Sequence, residues 1–247
     1  MNFFSLFKRK LIYKLKSKEN IDKDGIINKS LDDLFHHYGS DKANFFKKNQ
    51  TTGHGFSKYY IDYFAKIKKN KINILEIGSF SGASAAAFAK FLPNSIICCF
   101  DVNISNFSFT SEKIHVFGLD VKDEKKLKKT LTRIRSELKI DSFDIIIDDG
   151  SHNLSDILIA IRSLFKYLNN LGVYVIEDYK FPNYYNYNKD IDDILVDQLI
   201  ENIIKKNFFD SGVLDRDQQK FLFKNVSNIS TYKGNLKDSD ICFIEKK

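Results

Sequence analysis

The chain has 247 residues, 43% of them hydrophobic and 29% charged, with two prolines, three cysteines and no tryptophan. That balance excludes collagen-like, low-complexity and disulfide-scaffold chains and describes one globular domain with a short extension. The formal charge of +7 gathers at one end: residues 1–20 hold six cations against Glu19, a local +5, which leaves only +2 for the remainder. A body so weakly basic, lacking an interleaved basic and aromatic patch, argues against a nucleic-acid partner.

Within that basic end, Phe3, Phe4, Phe7, Leu11 and Leu15 recur at helical spacing and predict an amphipathic helix with an apolar stripe beside a basic face. Such a helix either makes a peripheral contact with a membrane or partner, or packs on the body with its lysines solvated. Residues 1–30 are read as this extension and 31–247 as the domain. No apolar run reaches the roughly 20 residues of a membrane span. The apolar residues precede the basic ones and no small-residue cleavage site follows, so no export signal is expected. Cys98, Cys99 and Cys242 lie in apolar runs and read as buried, reduced thiols, which fits a cytoplasmic protein. Self-association into a homo-oligomer is left open.

From Asn73 onward short apolar runs alternate with helical stretches, the pattern of a parallel sheet covered by helices. The predicted strands are Ile72 to Ile77, Ser95 to Phe100, Ile114 to Phe117, Phe143 to Ile147 and Val173 to Ile176. Predicted helices run from Ala83 to Phe91, Lys125 to Leu138 and Leu154 to Leu168. The last part changes character. Lys220 to Tyr232 and Ile241 to Glu245 read as β-like runs joined through the turn signal Lys233-Gly234-Asn235, hence an antiparallel hairpin. The expected fold is α/β: a Rossmann-like, doubly wound, mostly parallel seven-stranded sheet with a C-terminal antiparallel hairpin, preceded by the helical extension.

The first candidate site lies where Ile74-Leu75-Glu76-Ile77 runs into Gly78-Ser79-Phe80-Ser81-Gly82 and then into an alanine-rich helix. Glycines there let the backbone turn sharply and let a ligand approach without a Cβ in the way. Asp101 follows Gly78 by 23 residues, just past the next strand, where a carboxylate can accept hydrogen bonds from both hydroxyls of a ribose. The nicotinamide and flavin fingerprint needs three glycines around a pyrophosphate, and this spacing lacks it. The stretch Glu-x-Gly-x-x-x-Gly instead resembles the first motif of class I S-adenosylmethionine-dependent methyltransferases. By that resemblance Glu76, Gly78, Ser79, Gly82 and Asp101 belong to the site of S-adenosylmethionine. Asp120 in Asp120-Val121-Lys122-Asp123 is a further candidate beside the adenine, and Asp123 is equally a helix N-cap.

The second candidate site is the run Phe143-Asp144-Ile145-Ile146-Ile147-Asp148-Asp149-Gly150-Ser151-His152, echoed by Leu171-Gly172-Val173-Tyr174-Val175-Ile176-Glu177-Asp178. Two apolar strands end in paired acids, and in a doubly wound sheet ligands bind beyond the carboxyl ends of strands. Converging carboxylates repel unless a cation or proton compensates them. A divalent metal is the economical answer, and oxygen ligands favour Mg²⁺ or Mn²⁺. Strand alternation lets only one of Asp148 and Asp149 enter the site at a given height, so Asp149, Glu177 and Asp178 are the expected ligands and Asp148 a brace for the strand end or cofactor. His152, three residues past Asp149, is the expected general base, with simple hydrogen bonding at a helix N-terminus as the alternative.

Together Asp-Asp-Gly-Ser-His and Ile-Glu-Asp resemble the metal-dependent sugar O-methyltransferases of the macrolide-glycoside type and their relatives in bacterial surface-polysaccharide clusters. Tyr38-Gly39-Ser40-Asp41-Lys42 and His54-Gly55-Phe56 resemble that group's upstream segment. The resemblance, over residues 31–247, implies methyl transfer to a sugar hydroxyl, with Asp41 and Lys42 at the cofactor and His54 at the substrate. The acceptor it implies is a nucleotide-linked sugar or heptose of capsule or lipopolysaccharide biosynthesis. Tyr179 opens an aromatic loop to Tyr187 that either packs or stacks on a sugar face. The chain departs from the group at Ser40, Phe56, Leu119 and Leu171, the last standing in Asn170-Leu171-Gly172 where a Gly-Gly pair is usual. The competing readings are a phenolic or phosphate-type acceptor, and a scaffold that binds cofactor without turnover.

Overall fold

The computed structural model describes residues 3–25, 28–67, 71–180 and 193–247. In chain order the helices are α1 (Phe3–Leu15), α2 (Leu31–Tyr38), α3 (Ser57–Ile67), α4 (Ala83–Phe91), α5 (Glu124–Leu138), α6 (Leu154–Leu164), α7 (Val196–Lys205) and α8 (Arg216–Asn225). The strands of the main sheet are β1 (Ile72–Ile77), β2 (Ser95–Asp101), β3 (Ile114–Gly118), β4 (Phe143–Asp148), β5 (Leu168–Glu177), β6 (Val226–Lys233) and β7 (Asp240–Lys246). The fold is α/β, with a mostly parallel sheet of seven strands among the described residues and a C-terminal antiparallel hairpin. The chain divides into two compact units, Met1–Asp120 with Gly234–Leu236, and Val121–Lys233 with Lys237–Lys247.

The first unit holds three parallel strands of the main sheet, with β2 between β1 and β3. β1 is a nearly continuous apolar run buried on both faces, as helix-covered parallel strands require. Its register sets Ile77 opposite Phe100, and that of β2 with β3 sets Asp101 opposite Gly118, so Asp101 ends its strand just past the glycine turn. Ala83, Ala85, Ala86, Ala87 and Ala89 are buried along α4, whose small side chains permit close approach to its neighbours. Phe88 of the same helix meets Phe35 of α2 and Phe64 of α3 edge-on, at 5.3 and 5.4 Å between ring centres, a geometry aromatic pairs favour.

Gly82 caps α4 at φ +79°, and a Cβ there would lie 2.3 Å from Phe107 Cζ, a fully buried ring. Gly82→Ala is therefore expected to destabilise the fold by about 3 kcal/mol, combining left-handed backbone strain with overpacking. A urea unfolding curve checks it, and an unchanged midpoint would refute the assigned role.

In the second unit β4 pairs parallel with β5, β7 runs antiparallel to β5, and β6 antiparallel to β7. Asp148 stands opposite Ile176, and Glu177 opposite Ile241, so the acid pairs follow directly from two adjacent strand ends. Two predicted boundaries move by several residues. α6 stops at Leu164 and gives way to a 3-10 turn at Phe165–Tyr167, and β5 begins at Leu168 rather than Val173. Leu171 sits 90% exposed at φ +63°.

The predicted β-run from Lys220 to Tyr232 is corrected: its first half is helical, and β6 starts only at Val226. The reason is a capping box. Asp215 accepts from the backbone N–H of Asp217 and Gln218, while the Gln218 side chain accepts from Asp215 N–H, which satisfies donors that a helix start otherwise leaves unpaired. Buried Gln219 then donates to the carbonyls of Phe209 and Leu214 and ties the helix to its lead-in loop. Cys98, Cys99 and Cys242 are buried free thiols, and burial pushes Cys98 up to about 12, so it stays protonated and inert.

Candidate active site

The glycine turn is assembled from its own unit. Gly78 adopts φ +82° and Phe80 φ +41°, with Phe80 exposed. Gly78 N–H donates to Phe100 O at 2.8 Å and so continues the sheet into the turn. Glu76 is fully buried and accepts from Ser84 Oγ at 2.5 Å, while Ser79 Oγ donates to Glu76 O at 3.3 Å. The acid inside the strand end thus ties β1 to the first turn of α4. Asp101 closes the loop from the neighbouring strand: its Oδ2 accepts from Phe80 N–H at 2.8 Å and its Oδ1 from Asn103 N–H at 2.5 Å. An ionised carboxylate accepts about four hydrogen bonds, so these two leave capacity for further donors such as ribose hydroxyls. Asp120 is half-buried and follows buried Leu119, whose N–H donates to Asp101 O. Asp123 takes the capping role of its two readings, accepting from Lys126 N–H at the start of α5.

The upstream segment folds in the same unit. His54 N–H donates to Asp41 O at 2.7 Å, and the His54 ring nitrogen Nε2 lies 4.0 Å from the Asp41 carboxylate. Lys42 is buried, and its backbone carbonyl accepts from Phe56 N–H. Asn235 N–H donates to His54 O at 2.8 Å. Gly53 is required here because a Cβ would lie 2.2 Å from Ala43 O.

The acidic cluster belongs to the second unit. Asp148, the last residue of β4, is buried and accepts from Tyr174 Oη at 3.4 Å. Burial, reinforced by the neighbouring Asp149 charge, pushes its carboxyl up to about 7. Asp149 lies past the strand end and is half-exposed. Its Oδ1 is 3.8 Å from His152 Nε2, across a tight loop in which His152 takes φ +55° and Asn153 then caps α6. Asp178 leaves β5 at φ +48°. One ligand atom each from Asp149, His152 and Asp178 falls within 4.8 Å of the other two. Two carboxylate oxygens and an imidazole nitrogen form a donor set that a single divalent cation takes.

The structure therefore brings together three residues that the sequence singled out, in a grouping the sequence did not anticipate. His152 takes a ligand-distance place beside Asp149 and Asp178, whereas Glu177, buried at the end of β5, is not one of the three. Tyr174, which braces Asp148, carries no sequence signal for that contact, since only the β4 to β5 pairing sets it opposite Ile146, on the Asp148 side of the sheet. Tyr179 is buried, its N–H donating to Asp240 O at 3.2 Å, and its burial raises the phenol well above its ordinary range. Here it packs against the hairpin. The aromatic loop from Phe181 to Tyr187 lies outside the described residues.

No family model matches the sequence. It is 28% identical over 152 residues to the L-olivosyl-oleandolide 3-O-methyltransferase of Streptomyces antibioticus, covering 53% of this chain and 34% of that enzyme. To the mycinamicin VI 2''-O-methyltransferase of Micromonospora griseorubida it is 29% identical over 133 residues, covering 51% and 31%. The match thus takes in about a third of these relatives' length. Among solved structures, the MycE methyltransferase of the mycinamycin pathway, in complex with Mg, SAH and mycinamycin VI, matches with a TM-score of 0.68 at 22% identity, over 90% of this chain and 56% of that one. The chain has the MycE fold. It resembles sugar O-methyltransferases of the macrolide-glycoside type in sequence, and the MycE-like architecture extends over both of its units.

Proposed function

We propose that this protein is an S-adenosylmethionine-dependent, divalent-metal-dependent O-methyltransferase whose acceptor is a sugar hydroxyl. The observation that carries the reading is the Asp149, His152 and Asp178 cluster on a chain with the MycE fold. In this reading the Gly78 to Gly82 turn and Asp101 hold the cofactor, with Glu76, Ser79, Asp120, Asp41 and Lys42 around it. Asp149 and Asp178 hold Mg²⁺ or Mn²⁺, with Glu177 as the third carboxylate. When bound, the ion supplies Lewis acidity and S-adenosylmethionine supplies an electrophilic methyl group.

The chain's own residues supply orientation and the proton path. His152 accepts the proton of the acceptor hydroxyl as its oxygen forms the new bond to the methyl carbon and the carbon–sulfur bond breaks. Asp149 Oδ1 lies 3.8 Å from His152 Nε2, so the proton acceptor and a metal-holding carboxylate share one loop. His54 contacts the sugar. A second reading, in which His152 is itself the third ligand, is favoured by the 4.8 Å grouping. The acceptor class is a nucleotide-linked hexose or heptose of a surface polysaccharide, used in the cytoplasm.

The test is transfer of a labelled methyl group from S-adenosylmethionine to a panel of nucleotide-linked sugars, macrolide glycosides, catechol and RNA, with Mg²⁺ or Mn²⁺ present. Methylation confined to sugar acceptors supports the proposal. Transfer to catechol or RNA alone, or cofactor binding without any turnover, overturns it.

A further inference from the structure

The helix α1 is mounted with its apolar stripe outward. Arg9, Tyr13 and Lys16 face the rest of their unit: Arg9 Nη1 donates to Val102 O at 2.8 Å, the Tyr13 ring meets Phe107 edge-on, and Lys16 Nζ donates to Asn106 O at 2.8 Å and Ser108 Oγ at 2.9 Å. At about 100° per residue, Phe7, Leu11 and Leu15 fall within an arc of roughly 80° on the opposite side. They are 62%, 48% and 78% exposed. Exposed Lys14 and Lys10 border that arc on one side, and exposed Lys8 on the other, with Ile12, also exposed, beyond it.

A helix that merely packed on its body would bury this stripe and solvate its lysines. Here the polar face is spent on specific contacts and the apolar stripe is left to solvent, with Lys10 and Lys14 along one side and Lys8 on the other. We infer that α1 docks on an anionic lipid surface, lying in the interface plane with Phe7, Leu11 and Leu15 among the acyl chains and Lys8, Lys10 and Lys14 at the headgroup phosphates. Charge selects this occupant over a second copy of the chain, because pairing two such stripes would bring Lys8, Lys10 and Lys14 of one copy near those of the other. Among the described residues no helix is long and apolar enough to cross a membrane, so the contact is peripheral.

The test uses the full chain with vesicles of phosphatidylcholine alone and of phosphatidylcholine mixed with phosphatidylglycerol. Flotation is expected only with the anionic vesicles. Replacing Lys8, Lys10 and Lys14 together by glutamine is expected to lower partitioning on the order of a hundredfold. The pair Phe7→Ser and Leu11→Ser is expected to lower it by at least about tenfold. These side chains are exposed, so circular dichroism should be unchanged. Because the chain has no tryptophan, Leu11→Trp gives a lone indole, excited apart from the tyrosines, whose emission should shift to the blue on adding anionic vesicles. Equal binding to both vesicle types, no binding to either, or a concentration-dependent dimer dispersed by the serine pair would each overturn the inference.

Discussion

Asp178→Asn is expected to lower turnover about a thousandfold, the several kcal/mol that Lewis-acid stabilisation contributes at such sites. The substitution keeps the shape and removes the charge. Asparagine also tolerates the positive φ that Asp178 adopts, so the backbone that presents the side chain should persist. Asp149→Asn should act in the same direction, because that residue is half-exposed beyond its strand and leaves no buried void. Chelation of the wild-type protein should reproduce the loss, and added Mn²⁺ should restore activity to the wild type but not to Asp178→Asn. Affinity for Mn²⁺, measured by electron paramagnetic resonance, should fall for both variants. Asp148→Asn, which keeps an acceptor for Tyr174, should change that affinity far less. Undiminished turnover after chelation would remove the metal from the mechanism and the two aspartates from their role.

His152→Ala is expected to reduce the rate of methyl transfer by roughly 10²- to 10⁴-fold, the usual weight of a positioned proton acceptor. Affinity for S-adenosylmethionine should be unaffected, since the glycine turn and Asp101 lie on other elements. The same variant separates the two assignments of His152. If the imidazole accepts the proton, Mn²⁺ affinity stays near the wild-type value while single-turnover chemistry collapses. If it is the third ligand, Mn²⁺ affinity falls along with the rate, and Glu177→Gln leaves that affinity intact. Equal loss of cofactor affinity and rate would defeat both assignments and point to a loop held together by His152 at its left-handed φ.

The strands and helices flanking the glycine turn were legible because each carries its own signal. A doubly buried parallel strand is a short apolar run, and Gly78 and Gly82 mark where the backbone needs positive φ. The α8 helix was not, because Phe221, Leu222 and Phe223 are contiguous rather than helically spaced. The Asp215 and Gln218 caps that decide the matter lie ahead of the apolar run. The stripe on α1 was plain in the sequence, but which way it faces was not. That depends on backbone carbonyls of Val102 and Asn106, more than 80 residues away in the chain, which Arg9 and Lys16 reach.

By itself the sequence determined the alternation of strands and helices, the glycine turn with Asp101 after the next strand, and the placing of acid pairs and His152 at two strand ends. Local spacing carries all of these. Only the tertiary structure decided which acids come within reach of one another. The β4 to β5 register sets Asp148 opposite Ile176, and past those strand ends, with Asp178 at a left-handed φ, one ligand atom each of Asp149, His152 and Asp178 falls within 4.8 Å of the other two. A register and a single backbone dihedral are properties of paired strands in space, and no periodicity along one chain encodes them.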